Sequence, residues 1–483
     1  MTRLQLPWRG RDGGYSVLVP LVVAVVAFAY QQTAVVPVIP VVEKDLGIAV
    51  PWGAWLLSGY LLVATVAGPV LGRLGDRWGR RAVLLAALGV FLLGSVGAAC
   101  APTGAVLIGF RALQGLGGAV YPLSLSIARE ELPSERVAAA TSVLTAGFGL
   151  GTALGFALSG LLTEAFSWRA VFVLGAVVVA LAVPPVLRGV PGRPGPSPGP
   201  LDAGGAAGLG TALALLLVAL TLAPRQHGAG WLIPAGLLAA AGGAGAWWVR
   251  HEDAAPSPLV DARTLRSPTE LWTNAATLCT GFALFGAYYL LPRFVQEGHD
   301  GLSSRTTVIG LCLLPTAIGQ LLTAPALKRV QANGTPRRPL AIGLAAMAAG
   351  AAGFAASVSG SVTVLLASGF VLGCGVGLAV GASGALASLG ADQEHAAVAT
   401  SFNSTVRRVG GGIGSQVGAA VLVLVGGGSG GWLLSFGLVG VLSAAGAVVA
   451  VRLPLGAVDG RDGSGPDTAA AGTGAGGRGE RSR

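Results

Sequence analysis

The sequence contains little charge for its length. Only 11% of its 483 residues are Asp, Glu, Lys or Arg, whereas soluble domains carry about 25%. The chain has four cysteines and four histidines, and neither set shows metal-ligand spacing. These shortages argue against a soluble enzyme, a disulfide-stapled domain and a metal centre. We therefore predict no metal site and no cofactor, and no phosphate-binding GxxxxGK[ST] motif is present.

Apolar sequence is abundant. Hydrophobic residues make up 53% of the chain, mean hydropathy is +0.71, and there are 78 glycines. Apolar runs of about 20 residues recur along the whole sequence, which is the length that a helix needs to cross a bilayer. Lipid offers the backbone no hydrogen-bond partners, and period-two alternation is absent, so the runs predict helices. The sequence thus indicates an all-α integral membrane protein, with glycines that allow close helix packing.

The apolar windows predict fourteen transmembrane helices. They lie near residues 16–38, 52–72, 82–101, 104–127, 138–162, 169–187, 203–223, 230–249, 271–292, 306–326, 339–357, 361–382, 396–426 and 431–452. This order predicts two six-helix bundles with two additional helices between them. The predicted divisions are an N-terminal segment (1–15), the first bundle (16–188), a Pro/Gly-rich linker (189–202), the two additional helices (203–249), a polar loop (250–270), the second bundle (271–452) and a disordered tail (453–483).

The predicted loops differ in their arginine and lysine content. Alternate loops carry most of these residues, so the positive-inside rule places that set, together with both termini, in the cytoplasm. The net charge of +10 is then a topology signal and does not indicate nucleic-acid binding. We expect a multi-pass protein of the cell membrane that has the lipid bilayer as its environment and is a monomer.

One predicted cytoplasmic loop concentrates charge. The stretch GRLGDRWGRR (72–81) joins the second and third predicted spans. Its arginines fit the positive-inside rule, but an acid does not. We hypothesise that this acid latches neighbouring helix ends in one state of an alternating-access cycle. The predicted conformational-switch residues are Gly72, Asp76, Arg77, Gly79 and Arg80.

These residues carry a family resemblance. The stretch 72–81 resembles the signature cytoplasmic loop of the major facilitator superfamily, and RALQG (111–115) is similar to that superfamily's Arg-x-x-Gln-Gly pattern. The six-two-six order narrows the resemblance to the 14-spanner drug:proton antiporters. The stretch RRVGGGIG (407–414) resembles part of that family's late helices. The late-helix residues are Arg407, Gly410, Gly411 and Gly414.

The sequence also departs from this family at two places. The fifth span keeps the glycine spacing of the antiporter motif but has Thr152 where the family has proline. The first span has Gln31 where family members typically have an acid. The resemblance implies a helix-packing role for Gly147, Gly151, Gly155 and Gly160.

Arg111 is an intramembrane cation, and such residues are usually functional. We expect it at the same depth as Gln31, so that the two could meet across a central cavity. One hypothesis is that a substrate anion supplies the missing partner. The alternatives are that Arg111 bonds Gln31, Gln114 and backbone carbonyls and only supports the bundle, or that it snorkels to headgroups.

The resemblance implies an exporter of drug-like or secondary-metabolite molecules that exchanges them for protons. A uniporter or importer of a small metabolite is the alternative within transport, and a polytopic membrane enzyme is a remote one, because no clustered acids or histidines form a catalytic site. No carboxylate lies clearly in mid-membrane, so the sequence does not locate a proton site. The candidate cavity residues are Gln31, Gln32, Arg111, Gln114, Tyr121, Asn274 and Tyr288.

Overall fold

The structure is a computed structural model that describes residues 13–193, 202–255, 258, 267–297, 305–332, 336–389, 396–426 and 428–454. Within these residues the regular secondary structure is entirely helical. Fourteen helical segments are long and apolar enough to cross a membrane, which confirms the predicted number. We number them α1 (Ser16–Asp45), α2 (Val50–Trp78), α3 (Arg80–Ala99), α4 (Gly104–Glu131), α5 (Ser134–Ala165), α6 (Trp168–Gly189), α7 (Ala203–Arg225), α8 (Gly228–Ala254), α9 (Pro268–Glu297), α10 (Thr306–Ala332), α11 (Arg337–Ala356), α12 (Val362–Leu389), α13 (Ala396–Val425) and α14 (Ser429–Val451).

The first half (α1–α6) and the second half (α9–α14) share one packing pattern. In the first half α1 packs on α5 and α6, α3 packs on α4 and α6, and α2 packs on α4. In the second half α9 packs on α13 and α14, α11 on α12 and α14, and α10 on α12. Each packed pair in the second half corresponds to a first-half pair whose helix numbers are lower by eight. The two predicted six-helix bundles are therefore structural repeats of each other.

Two helix pairs join the halves. Helix α5 packs on α10, and α2 packs on α13, so the seam repeats the same symmetry. The additional helices have unlike positions. Helix α7 lies beside both α2 and α13 and buries Leu217, Ala219 and Thr221, whereas α8 packs on α7 and is largely exposed. Thus α7 covers the seam, and α8 is peripheral.

Most helices run past the predicted apolar windows, because a helix keeps its backbone hydrogen bonds where the side chains become polar. Helix α2 continues through residues 72–78, so the predicted loop at 72–81 is mostly helical, and the connection to α3 is Gly79 alone. Gly79 has φ 91°, a conformation that glycine adopts without a Cβ clash. The predicted N-terminal segment as far as 12, the linker at 194–201, the polar loop at 259–266 and the tail from 455 lie outside the described residues.

The consecutive spans alternate in direction, so the molecule has two faces. We call the face where α1 begins and α14 ends the Arg-rich face, since it carries the Gly79 turn with Arg77, Arg80 and Arg81. We call the other face, where α1 ends and α9 ends, the Arg-poor face.

Candidate functional site

Arg111 on α4 is the centre of a buried hydrogen-bond network in the first half. Its side chain has no exposed surface. Nε donates to the Leu56 carbonyl at 3.0 Å, and Nη1 donates to Gln114 Oε1 at 2.7 Å and to the Gln31 backbone carbonyl at 3.4 Å. Gln114 Nε2 in turn donates to Ser95 Oγ at 2.9 Å. Four helices, α1 to α4, are thereby tied together.

Gln31 does not offer its amide to Arg111. Its side chain lies against Gly175 of α6, where a Cβ would overlap the amide, and both its polar side-chain atoms are buried without a partner among the described residues. Arg111 instead stacks over the Tyr60 ring, 4.9 Å from its centroid. The structure therefore favours the alternative in which backbone carbonyls and Gln114 hold Arg111, and not the cavity pair with the Gln31 amide. Arg111 Nη2 is buried without a hydrogen-bond partner among the described residues.

Arg408 of α13 crosses from the second half into the first. Its guanidinium donates to the Ala64 carbonyl of α2 at 3.2 Å and to the Gly118 carbonyl of α4 at 3.1 Å. Gly118 lies in the 3-10 turn Gly115–Ala119, a tighter helix form that is often found at hinges. Gly68 leaves room for this side chain, since a Cβ there would lie 3.2 Å from Arg408 Nη1. Sequence reasoning singled out the neighbouring Arg407 and missed this cross-half contact.

The charge cluster at the Arg-rich face stays within the first half. Asp76 Oδ1 lies 3.2 Å from Arg80 Nη2, and Arg80 Nη1 lies 3.0 Å from Glu130 Oε1. These contacts join the ends of α2, α3 and α4, as a latch between helix ends requires. Arg77 is exposed. Gly72 borders open space, so close packing does not explain the glycine at that position.

The Arg-poor face carries an ion pair between the halves. Glu43 at the end of α1 pairs with Arg293 of α9, and these side chains are 6% and 8% exposed. The Tyr289 hydroxyl donates to the Val50 carbonyl at 2.7 Å and lies 3.3 Å from Glu43 Oε1. Arg293 also lies 3.2 Å from Glu297, which is 46% exposed. We name Glu43, Arg293 and Tyr289 the Arg-poor latch.

Among the described residues, three further contacts cross the seam between its middle and the Arg-poor face. Gln416 Nε2 donates to Ser58 Oγ at 2.8 Å, and the Thr307 backbone N–H donates to Glu164 Oε1 at 2.9 Å. The third is the edge-to-face contact of Phe156 with Tyr288, at a centroid distance of 5.3 Å. Helix α7 joins the first of these contacts, because Thr221 lies 3.2 Å from Gln416 Oε1 and accepts from Trp55 Nε1 at 2.9 Å.

The predicted glycine motif of α5 packs closely against α1. A Cβ at Gly151 would lie 2.8 Å from Ala29 Cβ, and one at Gly155 would lie 2.8 Å from the Tyr30 carbonyl. Gly147 makes looser contacts with α1. Gly160 differs, because it faces Thr306 and Thr307 of α10 in the other half. Helix α5 contains no proline, and Thr152 Oγ1 donates to the Phe148 carbonyl at 3.0 Å.

The late-helix motif occupies the repeat-related position in the second half. Gly410 and Gly414 press against Leu278 and Phe282 of α9, as the α5 glycines press against α1. Gly411 lies between Phe285 and Leu61 and so faces the other half. The α5 motif and the late-helix motif, which resemble the family separately, therefore pack in the same way in the two halves.

The remaining candidates do not converge on one central site. Tyr121 bonds Thr145 at 3.0 Å, and Tyr288 accepts from Gln320 at 3.0 Å. Asn274 accepts from Asn403 at 3.1 Å, and Gln32 has a buried Oε1 without a partner among the described residues. Sequence reasoning missed five residues that make contacts between the two halves: Glu43, Arg293, Tyr289, Arg408 and Gln416. The first two were assigned to loops because the apolar windows ended before them.

Two repeated six-helix halves that meet along one symmetric seam define a secondary-transporter fold. A model of the Major Facilitator Superfamily matches residues 21–415, and the chain belongs to that family. It is 30% identical over 414 residues to the tetracenomycin C resistance and export protein of Streptomyces glaucescens, which covers 85% of this chain and 76% of that protein. It is 29% identical over 347 residues to the multidrug efflux pump LfrA of Mycolicibacterium smegmatis, covering 69% of this chain and 66% of LfrA.

A third relative is an uncharacterized MFS-type transporter of Mycobacterium tuberculosis, 33% identical over 306 residues. That match covers 63% of this chain and 44% of the relative. The chain therefore spans less than half of the length of this relative.

Proposed function

We propose that the protein is a secondary active transporter that exports drug-like or secondary-metabolite molecules in exchange for protons. The observation that carries the proposal is the seam between the two repeated halves, which is closed by buried polar contacts at the Arg-poor face. Such a seam permits one half to rock against the other around a central site. The printed names of the Streptomyces and Mycolicibacterium relatives, which refer to export and efflux, support the direction.

We propose further that the Arg-rich face is cytoplasmic, with both termini there, and that the protein works as a monomer in the cell membrane. The positive-inside rule supports this orientation. The cross-half contacts described above lie at the Arg-poor face or near mid-membrane, while the half of α4 near the Arg-rich face packs on α1, α3 and α5 of its own half. With this orientation, we propose that the Arg-poor latch closes the protein to the outside.

Glu270 is the acid that best fits a proton site. It lies near the Arg-rich end of α9, its side chain is 1% exposed, and Asn274 Nδ2 lies 3.4 Å from its Oε2. Its Oε1 is buried without a hydrogen-bond partner among the described residues. We assign the transported proton to this unpartnered oxygen.

Uptake into inverted membrane vesicles tests the function. An imposed pH gradient should drive uptake of compounds from a drug panel, and a protonophore should abolish it. Glu270→Gln should remove the dependence on the gradient while exchange of labelled for unlabelled substrate persists, whereas Glu135→Gln, an exposed acid of α5, should behave like the wild type. Uptake that is independent of the gradient in the wild type would instead indicate a uniporter, and no uptake of any compound would overturn the proposal.

A further inference from the structure

Arg407 differs from the other two deep arginines in its hydrogen bonds. Arg111 and Arg408 each donate to backbone carbonyls. Arg407 is half-buried and makes no hydrogen bond or ion pair with another residue that the structure describes. It stands eleven residues into the Ala396–Val425 helix, which is roughly 16 Å along the axis at 1.5 Å per residue. Because a cation at that depth is normally paired, we expect Arg407 to pair with an anion that does not belong to the protein.

The surroundings of Arg407 add positive charge and aromatic surface. The next residue along α13, Arg408, donates to the Gly118 carbonyl of α4 at 3.1 Å, and Tyr121 stands three residues after Gly118 on α4. The Tyr121 ring stands 5.4 Å from that of Phe148, centroid to centroid. Phe148 in turn lies 6.1 Å from Phe28. Arg407 thus lies next to a second cation on α13, at the level where α13 meets the part of α4 that carries Tyr121.

The acids at the Arg-rich ends of α4 and α9 have other partners. Glu130 pairs with Arg80 at 3.0 Å, and Glu131 pairs with Arg193 at 2.9 Å. Glu270 of α9 is bonded to Asn274 and forms no ion pair with Arg407 among the described contacts. These carboxylates therefore do not compensate the positive charge at Arg407, and an unpaired charge is unfavourable even where it is only partly buried.

We propose that Arg407 binds an ionised acidic group of the substrate, and that the rings of Tyr121 and Phe148 bind its aromatic part. The substrate class is then aromatic compounds that carry a carboxylate or an ionised phenol. This inference rests on the proposed transport function and assigns its specificity. It replaces Arg111 as the charge-selecting residue, because the Arg111 side chain is fully buried and is held by hydrogen bonds to Leu56 and Gln114 within the first half. Arg129, exposed near the Arg-rich end of α4, would attract such anions from the proposed cytoplasmic side.

The test compares an aromatic carboxylate fluorophore with its primary amide, which has the same rings and no charge. Binding to the purified full-length protein is measured for the wild type, Arg407→Gln, Arg407→Lys and the control Arg136→Gln, which removes an exposed arginine of α5. The wild type and the control should bind the acid at least tenfold more tightly than the amide. Arg407→Gln should remove this preference and leave amide binding within twofold, and Arg407→Lys should retain most of it.

Equal binding of acid and amide by the wild type, or an unchanged preference in Arg407→Gln, would overturn the proposal. If Arg407→Gln does not fold, binding of both compounds to the wild type is measured at increasing salt concentration. Salt should weaken binding of the acid and leave binding of the amide unchanged. An equal effect of salt on both compounds would contradict the proposal. Transport in proteoliposomes separates this result from the function itself. Gradient-driven transport of the amide with no preference for the acid would retain the transporter and refute the charge selectivity, whereas no transport of either compound or of the panel would refute the proposed function.

Discussion

The two faces of the molecule use charge in opposite ways. At the Arg-poor face, Glu43 and Arg293 form a buried pair that joins the two halves. At the Arg-rich face, Asp76, Arg80 and Glu130 form a partly exposed cluster that joins helices of one half. Exposed ion pairs contribute about 0–1 kcal/mol, whereas breaking a buried pair by removing one partner costs about 3–5 kcal/mol. In this structure, the face with fewer charges therefore holds the halves together.

The largest effect is expected from breaking the Arg-poor latch. Arg293→Ala leaves the Glu43 carboxylate buried with the Tyr289 hydroxyl as its remaining side-chain partner, so it should reduce transport at least tenfold. Glu43→Gln should have a smaller effect, because Arg293 keeps Glu297 at 3.2 Å. Vesicle uptake normalised to protein amount measures both.

A matched control lies on the same face. Arg169 and Asp45 form a pair at 3.4 Å, with side chains 39% and 51% exposed. Arg169→Ala should leave transport within twofold of the wild type, because an exposed pair contributes little. Equal losses in Arg169→Ala and Arg293→Ala would show that burial does not distinguish the two pairs.

A second large effect is expected where α5 meets the other half. A Cβ at Gly160 would lie 2.6 Å from the Thr306 carbonyl oxygen and 2.7 Å from Thr307 N. Gly160→Ala should thus prevent full closure of the Arg-poor face and reduce uptake about tenfold. Gly72→Ala should be tolerated, because nothing lies within 4 Å of the added methyl group. The reverse order of these two variants would contradict the contacts described.

A moderate effect is expected at the Arg-rich face. Asp76→Asn removes one contact of Arg80, which keeps Glu130 and the Ser126 carbonyl. The free energy of unfolding should change by less than about 1 kcal/mol, and membrane abundance should stay normal. If Asp76 latches helix ends in another state of the cycle, transport should still fall severalfold. Normal transport by Asp76→Asn would remove that role.

The smallest effect is expected at Asp202, which caps α7. Its Oδ1 accepts from Gly205 N at 2.8 Å and lies 2.9 Å from His251 Nε2. Burial acts to raise the pKa of Asp202, but the hydrogen bonds from Gly205 and His251 outweigh it and hold the pKa below its ordinary value. Asp202→Ala should lower the free energy of unfolding by about 1 kcal/mol at pH 7 without altering transport.

The sign of the pH dependence follows from the lowered pKa of Asp202. The stabilisation is present above the ordinary pKa of about 3.9 and is lost as the pH falls through the folded-state value. The difference between the wild type and Asp202→Ala should therefore shrink between pH 5 and pH 3. Thermal unfolding of both proteins across that range measures it, and a difference that grows on acidification would contradict the assignment.

The sequence predicts the membrane fold well because apolar length and arginine distribution are local properties. It identified Gly151 and Gly155 as packing positions, and the structure shows close packing at both. It misplaced the side chain of Gln31, because helix rotation decides whether an amide faces a cavity or Gly175, and rotation depends on the neighbouring helices. It also missed Glu43 and Arg293, which come together only when two halves separated by about 250 residues assemble.

The central claim is that the buried pair of Glu43 and Arg293 holds the Arg-poor face closed. The most direct test is the distance between spin labels at Phe166→Cys in the first half and Val362→Cys in the second, in a protein without its native cysteines. Both positions are exposed at that face. The wild type should show one short distance distribution, and Arg293→Ala should add a longer one that the charge-swapped double variant Glu43→Arg/Arg293→Glu removes. Unchanged distances in Arg293→Ala would contradict the claim.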